Sequence, residues 1–354
     1  MAYSTNFVGE FGFVGFRMLN PIGKYGIIQE TINYCMGETP LMKHVFVINP
    51  AAGKESNVSE IQSMLFEYGK GYDWEVYVTR APGDATEFVR KRAKSEKDKI
   101  RFYACGGDGT LNEVATGALG FENASIGVYP CGSGNDYVKH FGGKAAFLNI
   151  PALLAAPEIP VDLMKLGKYY SINICDFGFD TAVATTMSNV KRKAIIGGKN
   201  AYTTGVVWAL LTAMRSECKI WGDGELLSDG KILLCSLGCG SYVGGSFRCA
   251  PRSKCGDGLM EVCIVRPVSR LTFVRLVKKY AAGEHLDEER FKKFITYRRC
   301  KKIRISAPPG FKFSMDGEVI SVGSCTIEIL PHALRFALPE GAEERGKLFD
   351  GVNG

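Results

Sequence analysis

Residues 105–113 read Cys-Gly-Gly-Asp-Gly-Thr-Leu-Asn-Glu, a glycine-rich turn between an apolar run and a helix-like run. Glycines at positions 106, 107 and 109 can adopt backbone angles closed to other residues and bring N–H groups close to an anion. A helix that opens near Thr110 would point its free N–H groups at the same place. The stretch therefore predicts a phosphate site at the end of a strand.

A carboxylate stands inside this turn. Asp108 beside a polyphosphate would be repelled unless a cation lay between them, so the residue predicts Mg²⁺ held directly or through water. The alternative is an ordinary tight turn, because Asp and Gly are common turn residues. A second glycine-rich turn at residues 130–136 follows the next apolar run. Because loops at neighbouring strand ends share one crevice in open α/β sheets, the second turn favours the phosphate site.

Length, charge and cysteine content set the broad class. The chain has 354 residues, enough for two domains. Its 44 Lys and Arg against 37 Asp and Glu give a net charge of +7, which is compatible with an anionic membrane surface, a phosphorylated ligand or general solubility. The 12 scattered cysteines and four histidines disfavour a zinc cluster or a disulfide framework and indicate a reducing cytoplasm. No apolar run reaches the ~18–20 residues of a membrane-spanning helix.

The first half of the chain alternates short apolar runs with helical periodicity, which is typical of βαβ units around a parallel sheet. The predicted strands are 44–49, 74–79, 100–104 and 126–129, and the predicted helices are 58–68, 84–94 and 111–119. In the first helix, Ile61, Leu65 and Tyr68 are expected to share one face.

Beyond about residue 169 several runs alternate apolar and polar residues, as half-exposed antiparallel strands do, and predict an all-β second domain. The expected strands are 170–176, 232–238, 259–265, 302–306, 312–315 and 325–330, with helical inserts at 200–215 and 271–294. Residues 1–41 show no clear periodicity and precede Met42 and the first strand. We expect them to form an extension outside the fold.

Eight short motifs follow one another in chain order: residues 49–54, Thr79 with 83–85, 106–113, 132–136, 178–180, 244–251, 257–259 and 315–318. Together they resemble the diacylglycerol kinase catalytic-domain family, the soluble bacterial lipid kinases related to sphingosine and ceramide kinases. The resemblance implies an α/β plus β architecture, with an NAD kinase/phosphofructokinase-like α/β domain over 42–168, a β-sandwich-like lipid-substrate domain over 169–339 and a cleft between them. The last segment of the second domain could return to the first, and 340–354 would be a C-terminal tail.

The resemblance also implies ATP and Mg²⁺ as cofactors and assigns site residues. The nucleotide site would comprise Asn49, Pro50, Gly53, Lys54, Thr79, Gly106, Gly107, Asp108, Gly109, Thr110, Asn112, Glu113, Gly132, Ser133, Asn135 and Asp136. Asp108 would act close to the catalytic Mg²⁺, and Glu318, with Asp316 beside it, would take the proton from the lipid hydroxyl. Such parts suffice because phosphoryl transfer is mostly positioning and charge stabilisation. The alternative for Asp316 and Gly317 is a plain hairpin turn.

A second Mg²⁺ site of the family corresponds here to Lys254, Asp257 and Leu259. Lysine cannot ligate magnesium as an ammonium ion. The sequence therefore leaves open a weak site at Asp257 and Leu259, or an ion pair of Lys254 with Asp257 in place of the metal.

These observations lead us to expect an ATP-dependent lipid kinase, foremost one that converts diacylglycerol to phosphatidic acid. The alternatives are a kinase of a sphingoid base or ceramide, a kinase of a soluble substrate such as NAD, and a catalytically silent lipid-binding protein. The expected partner is a lipid presented at a membrane surface, met peripherally from the cytoplasm at the inner face; nucleic acid is not expected, and a homodimer is a candidate assembly. The expected membrane contact is the apolar pair Ile195-Ile196, flanked by Lys191, Arg192, Lys193 and Lys199 and followed by the apolar run 206–214, with a solvated basic loop as the alternative.

Overall fold

The computed structural model describes residues 28–30, 42–53, 57–179 and 215–344. The strands, in chain order, are β1 Ile28–Glu30, β2 Lys43–Ile48, β3 Asp73–Val78, β4 Ile100–Gly106, β5 Ala124–Pro130, β6 Glu158–Leu166, β7 Tyr169–Ser171, β8 Ile174–Gly178, β9 Ser216–Gly222, β10 Glu225–Ile232, β11 Leu234–Gly238, β12 Met260–Val265, β13 Ile295–Cys300, β14 Lys302–Ser306, β15 Lys312–Met315, β16 Glu318–Ser321 and β17 Cys325–Ala337. The helices are α1 Asn57–Tyr68, α2 Asp84–Ser95, α3 Asp108–Ala118, α4 Asp136–His140, α5 Ile150–Leu154, α6 Arg270–Ala282 and α7 Glu289–Lys292.

The first half forms a parallel sheet in the order β3-β2-β4-β5. Its central strand β2 is apolar without alternation because Val45 to Ile48 are fully buried, as expected of a strand covered on both faces. The chain passes from β2 to β3 on one side and then to β4 on the other. The carboxyl ends of β2 and β4 therefore flank a topological switch point, where α/β sheets bind ligands.

The second half is a β-sandwich. One layer is a six-stranded antiparallel sheet in the order β13-β12-β11-β8-β15-β16, and the other is the antiparallel continuation of the first sheet. The core between the layers is formed by buried side chains of both sheets, among them Phe177, Leu237, Phe313, Ile220, Ile303 and Ile327. This confirms the predicted class of an α/β domain plus a β-sandwich.

Strand β17 belongs to both halves of the molecule. It pairs antiparallel with β6 and β14, and near its end Phe336 lies opposite Ile126 of β5 in parallel register. The predicted strand at 325–330 therefore continues to Ala337. One continuous sheet joins the parallel domain to the sandwich.

Several details differ from the sequence-based expectations. Tyr68 is 48% exposed and does not share the buried face of Ile61 and Leu65 in α1. The predicted helix 271–294 is instead α6 followed by the short α7. Residues 28–30 of the expected extension pair antiparallel with β3, whose edge would otherwise be open, so these residues belong to the sheet.

Some predicted features lie outside the described residues. They are residues 200–214 of the expected helical insert, the nucleotide-site residue Lys54, and the expected membrane contact of Lys191, Arg192, Lys193, Ile195, Ile196 and Lys199. Within the described ranges, none of the helices has both the length and the apolar character that crossing a membrane requires.

Candidate active site

Three turns meet at the carboxyl ends of β2, β4 and β5, and they comprise residues 49–53, 106–108 and 131–135. The N–H groups of Cys131 and Gly132 both donate to the carbonyl oxygen of Gly106, at 2.9 and 3.1 Å. The N–H of Asn49 donates to the carbonyl oxygen of Cys105 at 3.0 Å. Main-chain hydrogen bonds thus hold the three turns side by side.

Glycine is needed where these turns touch. A Cβ on Gly132 would lie 2.4 Å from the Cα of Gly107, and a Cβ on Gly53, whose φ is +77°, would lie 2.5 Å from the carbonyl oxygen of Cys131. Side chains at these positions would force the turns apart. Beside a Cβ built on Gly109, by contrast, no described atom lies within 4 Å. The main chain therefore forms a cradle with one open side, which fits a phosphate chain.

Helix α3 begins at Asp108, three residues before the predicted start at Leu111. The first N–H groups of an α-helix have no acceptor within the helix. The first turn of α3, which includes Gly109 and Thr110, thus places donors and the positive end of the helix dipole beside the cradle.

Asn49 directly follows strand β2, and Thr79 directly follows strand β3, at the same edge of the sheet. The Nδ2 of Asn49 donates to Oγ1 of Thr110 at 3.1 Å, and its Oδ1 accepts from the N–H of Ala51 at 3.0 Å. The N–H of Thr79 donates to the carbonyl oxygen of Ile48 at 2.9 Å. Asn49 thereby fixes the first turn, which also contains Pro50 and Gly53, against helix α3.

Asp108 lies against the start of α4. Its Oδ1 accepts from the N–H of Asp136 at 2.6 Å and from that of Tyr137 at 3.3 Å. Burial, followed by the negative charge of Asp136, raises the pKa of Asp108 to about 6. A divalent cation would favour both ionised carboxylates and reverse this shift. Asp108, whose Oδ2 accepts no hydrogen bond from the described residues, is therefore the carboxylate whose chemistry fits Mg²⁺.

The third turn offers an unused acceptor. Asn135 has a φ of 49°, and its Nδ2 donates to the carbonyl oxygen of Gly132 at 2.5 Å. Its buried Oδ1 has no hydrogen-bond partner among the described residues. Because buried polar atoms are normally paired, this oxygen is suited to accept a hydrogen bond from a ligand. Ser133, in the same turn, is exposed.

Asp136 also connects the two halves of the molecule. Its carboxylate accepts from the N–H of Gly245 at 3.0 and 3.1 Å and from Nζ of Lys139 at 2.6 Å. Lys139 donates in addition to the carbonyl oxygen of Gly245 at 2.7 Å. Lys139 was missed in the sequence because it has no glycine or acidic neighbour that marks a site, whereas Gly245 lies in one of the eight motifs.

Glu113, whose place in the nucleotide site stays a prediction, binds the start of α2. Its carboxylate accepts from the N–H of Gly83 at 2.9 Å and from that of Ala85 at 3.2 Å, at the start of α2. The physical reason is that the residue preceding α2 is Gly83, which has no side chain to cap the helix.

Asn112 is likewise engaged away from the cradle. Its Nδ2 donates to Oδ2 of Asp316 and to the carbonyl oxygen of Tyr170, both at 2.8 Å. Asn112, which lies four residues after the glycine turn, thus binds helix α3 to the β-rich half. Its expected contact with the nucleotide stays a prediction, and the amide nitrogen donates to these two oxygens.

Asp316 is almost fully buried and surrounded by donors. Its oxygens accept five hydrogen bonds of 2.7–3.1 Å, from Nδ2 of Asn112, Oγ of Ser171 and the N–H groups of Ile172, Asn173 and Ile174. Burial raises the pKa of Asp316, and the bonds from Ser171 and Asn112 oppose that shift. Ser171 was not expected from the sequence, since a serine at the end of a strand carries no signal of its own.

The Asp316-Gly317 turn joins β15 to β16. Both residues have positive φ, 50° and 90°, as a type I′ hairpin turn requires. The hairpin alternative is therefore correct for the backbone, and the side chain of Asp316 adds the contacts to the β7–β8 segment.

Glu318 follows this turn and is exposed. No hydrogen bond or ion pair reaches its carboxylate from the part of the chain that the structure describes. Partial desolvation of the carboxylate, followed by the negative charges of Glu113 and Asp316, raises the pKa of Glu318. A carboxylate with free lone pairs and a raised pKa is suited to accept a proton.

The expected second metal site does not fit a cation. Oδ1 of Asp257 accepts from the N–H of Leu259 at 3.1 Å, and Oδ2 forms an ion pair with Arg299. A guanidinium thus occupies the carboxylate that a metal would need. Arg299 comes from β13, a strand that the sequence did not indicate, and the pairing of Lys254 with Asp257 stays a prediction.

A group of possible metal ligands lies at the C-terminal end of the described chain. One ligand atom each of His140, Cys255 and Glu344 lies within 4.8 Å of the others. The Oε1 of Glu344 lies 3.2 Å from Nε2 of His140 and accepts from the N–H of Cys255 at 2.7 Å. Because these bonds already use the carboxylate and the ring, the group fastens the C-terminal segment to both halves.

Two family models match the chain in succession. Residues 43–166 match the diacylglycerol kinase catalytic domain, and residues 173–338 match the YegS C-terminal NAD kinase beta sandwich-like domain. The junction at 166–173 spans β7, where the chain passes from the first sheet towards the sandwich.

Curated proteins and solved structures are similar over most of the chain. The "Probable lipid kinase YegS-like" protein of Yersinia pestis (strain Pestoides F) is 30% identical over 84% of this chain and 98% of its own length. The "Diacylglycerol kinase" of Bacillus subtilis (strain 168) is 29% identical over 78% of this chain and 90% of its own. The crystal structure of a diacylglycerol kinase from Bacillus anthracis str. Sterne superposes with a TM-score of 0.64 at 25% identity, covering 85% of this chain and 98% of that one.

Proposed function

The chain belongs to the diacylglycerol kinase catalytic-domain family of lipid kinases, and from this premise we propose that it transfers the γ-phosphate of ATP to the hydroxyl of diacylglycerol, forming phosphatidic acid. One observation carries the proposal. The open carboxylate of Glu318 stands on a hairpin that the Asn112–Asp316 hydrogen bond fastens to α3, the helix that begins at the glycine cradle. A proton acceptor and a phosphate site are thereby held in one frame.

The cradle of residues 49–53, 106–109 and 131–135 binds the polyphosphate of ATP. Main-chain N–H groups of the glycine turns and the first turn of α3 donate to phosphate oxygens, and the unpaired Oδ1 of Asn135 accepts from a donor of the nucleotide. Because the cradle is built from backbone, it needs little rearrangement to meet developing negative charge.

Asp108 would hold Mg²⁺ on this site through its open Oδ2. The bound ion would supply positive charge against the phosphate oxygens. Asp108 remains fixed by the N–H groups at the start of α4, and Asp136 by Gly245 and Lys139, so the two carboxylates keep their positions.

Glu318 accepts the proton of the lipid hydroxyl. As the hydroxyl oxygen forms its bond to the γ-phosphorus, the bond from that phosphorus to the bridging β,γ-oxygen breaks and ADP leaves. The raised pKa of Glu318 brings its basicity closer to that which proton transfer near neutral pH needs. Asp316 does not take this proton, because its oxygens already accept five hydrogen bonds.

Diacylglycerol is favoured over other lipids by the name of the Bacillus subtilis relative, "Diacylglycerol kinase". Such a substrate lies in a bilayer, so the protein would act peripherally, at the inner face of the membrane and from the cytoplasm. A sphingoid base or ceramide also carries a hydroxyl that the same carboxylate could deprotonate. The test must therefore compare acceptors.

The experiment measures transfer of labelled phosphate from Mg²⁺-ATP to lipids in mixed detergent micelles. The acceptors are diacylglycerol, ceramide, sphingosine and, as a soluble acceptor, NAD. Diacylglycerol should give the highest kcat/KM, and Asp108→Ala should abolish transfer while retaining the parent's circular dichroism spectrum. Preference for another acceptor, or normal turnover by folded Asp108→Ala, would contradict the proposal.

A further inference from the structure

Helix α6 presents two unlike faces. Its inner face carries Phe273, Leu276 and Tyr280, which are buried in a core of the β-rich half. On the outer face Leu271 is 64% exposed, more than any other large hydrophobic residue in the described ranges, and Val274 is 51% exposed. Packing against the core therefore does not explain why the outer face carries the two apolar side chains of Leu271 and Val274.

The outer face of α6 is also basic. The helix contains Arg270, Arg275, Lys278 and Lys279 and no acidic residue. Lys279 lies at the border of the face and binds Glu284 at 2.5 Å. By helical spacing Arg275 and Lys278 stand beside Leu271 and Val274, one turn apart.

Helix α6 borders the loop that contacts the candidate active site. The N–H of Arg248 donates to the carbonyl oxygen of Ala281, near the end of α6, at 3.2 Å. The same loop contains Gly245, whose N–H donates to Asp136 in the site. A surface that held α6 would therefore hold the protein close to the mouth of the cradle.

We propose that the outer face of α6, formed by Leu271, Val274, Arg275 and Lys278, docks the protein on an anionic bilayer. The proposal rests on the proposed function, since a substrate that lies in a bilayer requires such a surface. Charge complementarity selects this occupant: two aliphatic side chains enter the boundary of the acyl chains while the cations meet headgroup phosphates. A helix with both features on one face is typical of interfacial binding.

The test is co-sedimentation with vesicles, without ATP, so that catalysis is not involved. One set contains equal parts of phosphatidylcholine and phosphatidylglycerol, and the other contains phosphatidylcholine alone. The variants are Leu271→Ser/Val274→Ser and Arg275→Gln/Lys278→Gln. The matched control is Leu226→Ser/Lys231→Gln on β10, where Leu226 is 54% exposed.

The parent and the β10 control should bind the anionic vesicles equally. The apolar variant should bind them more weakly by on the order of tenfold, because it loses buried hydrocarbon. The charge variant should bind the anionic vesicles about tenfold more weakly than the parent at low salt. This difference should shrink as added salt screens the headgroups. Equal binding by the parent and both α6 variants would overturn the docking surface. A parent dimer that both α6 variants convert to a monomer would also overturn it, because the face would then join two copies of the chain.

Failure of this inference is distinguishable from failure of the proposed function. Micelles of an uncharged detergent carry no anionic headgroups, so Arg275→Gln/Lys278→Gln should phosphorylate diacylglycerol dispersed in them at the parent's rate. A parent that bound anionic vesicles through α6 but left micellar diacylglycerol unphosphorylated would contradict the proposed substrate alone. If the parent phosphorylated micellar diacylglycerol, but the parent and all variants bound vesicles equally, the result would contradict the docking surface alone.

Discussion

Asp316 and Glu318 lie two residues apart on one hairpin, and the protein treats them in opposite ways. Asp316 is 9% exposed and accepts five hydrogen bonds from two parts of the chain. Glu318 is exposed and has no hydrogen bond or ion pair within the described residues. The first carboxylate binds the two halves together, whereas the second is left able to react.

This difference shows that an acidic residue in a site must be judged by its remaining lone pairs. A carboxylate whose acceptor positions are filled stabilises the fold, and it can take up a proton only by giving up those contacts. Asp108 stands between the two extremes, since two N–H groups occupy one of its oxygens. Four substitutions test this ranking, in order of decreasing expected effect.

Glu318→Gln should lower kcat on the order of 10²–10⁴-fold, because the amide cannot accept the proton. The unfolding free energy and the affinity for ATP should remain those of the parent, since Glu318 has no described partner to lose. The matched control is Glu328→Gln, which removes an exposed carboxylate 3.9 Å from Lys302 and should leave kcat unchanged. A fall in ATP affinity as large as the fall in kcat would make Glu318 a binding residue and break the comparison.

Asp316→Asn should lower the unfolding free energy by about 3–5 kcal/mol, measured by urea denaturation. Whichever oxygen becomes NH₂, it meets at least two donors that then lack an acceptor. Asp229→Asn, which removes an exposed partner of Lys219 on β9 and β10, should cost less than about 1 kcal/mol. If Asp316→Asn were as stable as the parent but inactive, Asp316 would be the reacting carboxylate.

Asp108 should make the metal-free protein less stable as the pH rises. Its pKa is raised from 3.8 to about 6, so the folded state holds the proton more tightly than the unfolded state does. The resulting stabilisation is complete below about pH 4 and is lost as the pH passes about 6, a change of about 2–3 kcal/mol. Asp108→Asn should remove this part of the pH dependence in urea titrations.

Glu261 provides the internal comparison for that titration. Burial raises the pKa of Glu261 to about 8. The stability that protonated Glu261 contributes to the folded state is therefore still being lost above pH 6. That later part should persist in Asp108→Asn and disappear in Glu261→Gln. An unchanged profile in Asp108→Asn would show that Asp108 is already ionised at low pH and is better solvated than the structure indicates.

Asn112→Ala should cost about 1–2 kcal/mol of unfolding free energy, because Asp316 and Tyr170 each lose one donor. Titration with ATP should give the parent's affinity, since the amide group contacts no part of the cradle. A tenfold loss of ATP affinity at unchanged stability would instead return Asn112 to the nucleotide site that the family resemblance implied.

The parallel domain was largely predictable from the sequence, and the sandwich was less so. Strands such as β2 are covered on both faces, and their uninterrupted apolar runs are visible in the chain. Strand β10 reads Glu-Leu-Leu-Ser-Asp-Gly-Lys-Ile and contains a register shift between Leu226 and Ser228, so no alternation marks it. The exposure of Leu271 in α6 could not be predicted from the sequence either, because helical spacing does not show which face of a helix packs against the core.

The glycine turns of the site were predictable for a similar reason. Close backbone contact between Gly107 and Gly132 requires residues without a side chain, and such residues are visible in the sequence. The partners of the polar residues were not. Glu113 and Asn112 lie in the same motif as Asp108, yet one caps α2 and the other binds Asp316, because these partners depend on segments far away in the chain.

Strand β17 has a consequence for the order in which the newly made chain can fold. Residues 325–337 leave the ribosome after all the other described strands, yet they pair with β5, which is made some two hundred residues earlier. Until then the edge of β5, with Ile126 and Val128 buried in the finished protein, has no neighbour and is open to pairing with other chains. The parallel domain can therefore close its sheet only after β17 has been made, and chains truncated before β17 are expected to aggregate.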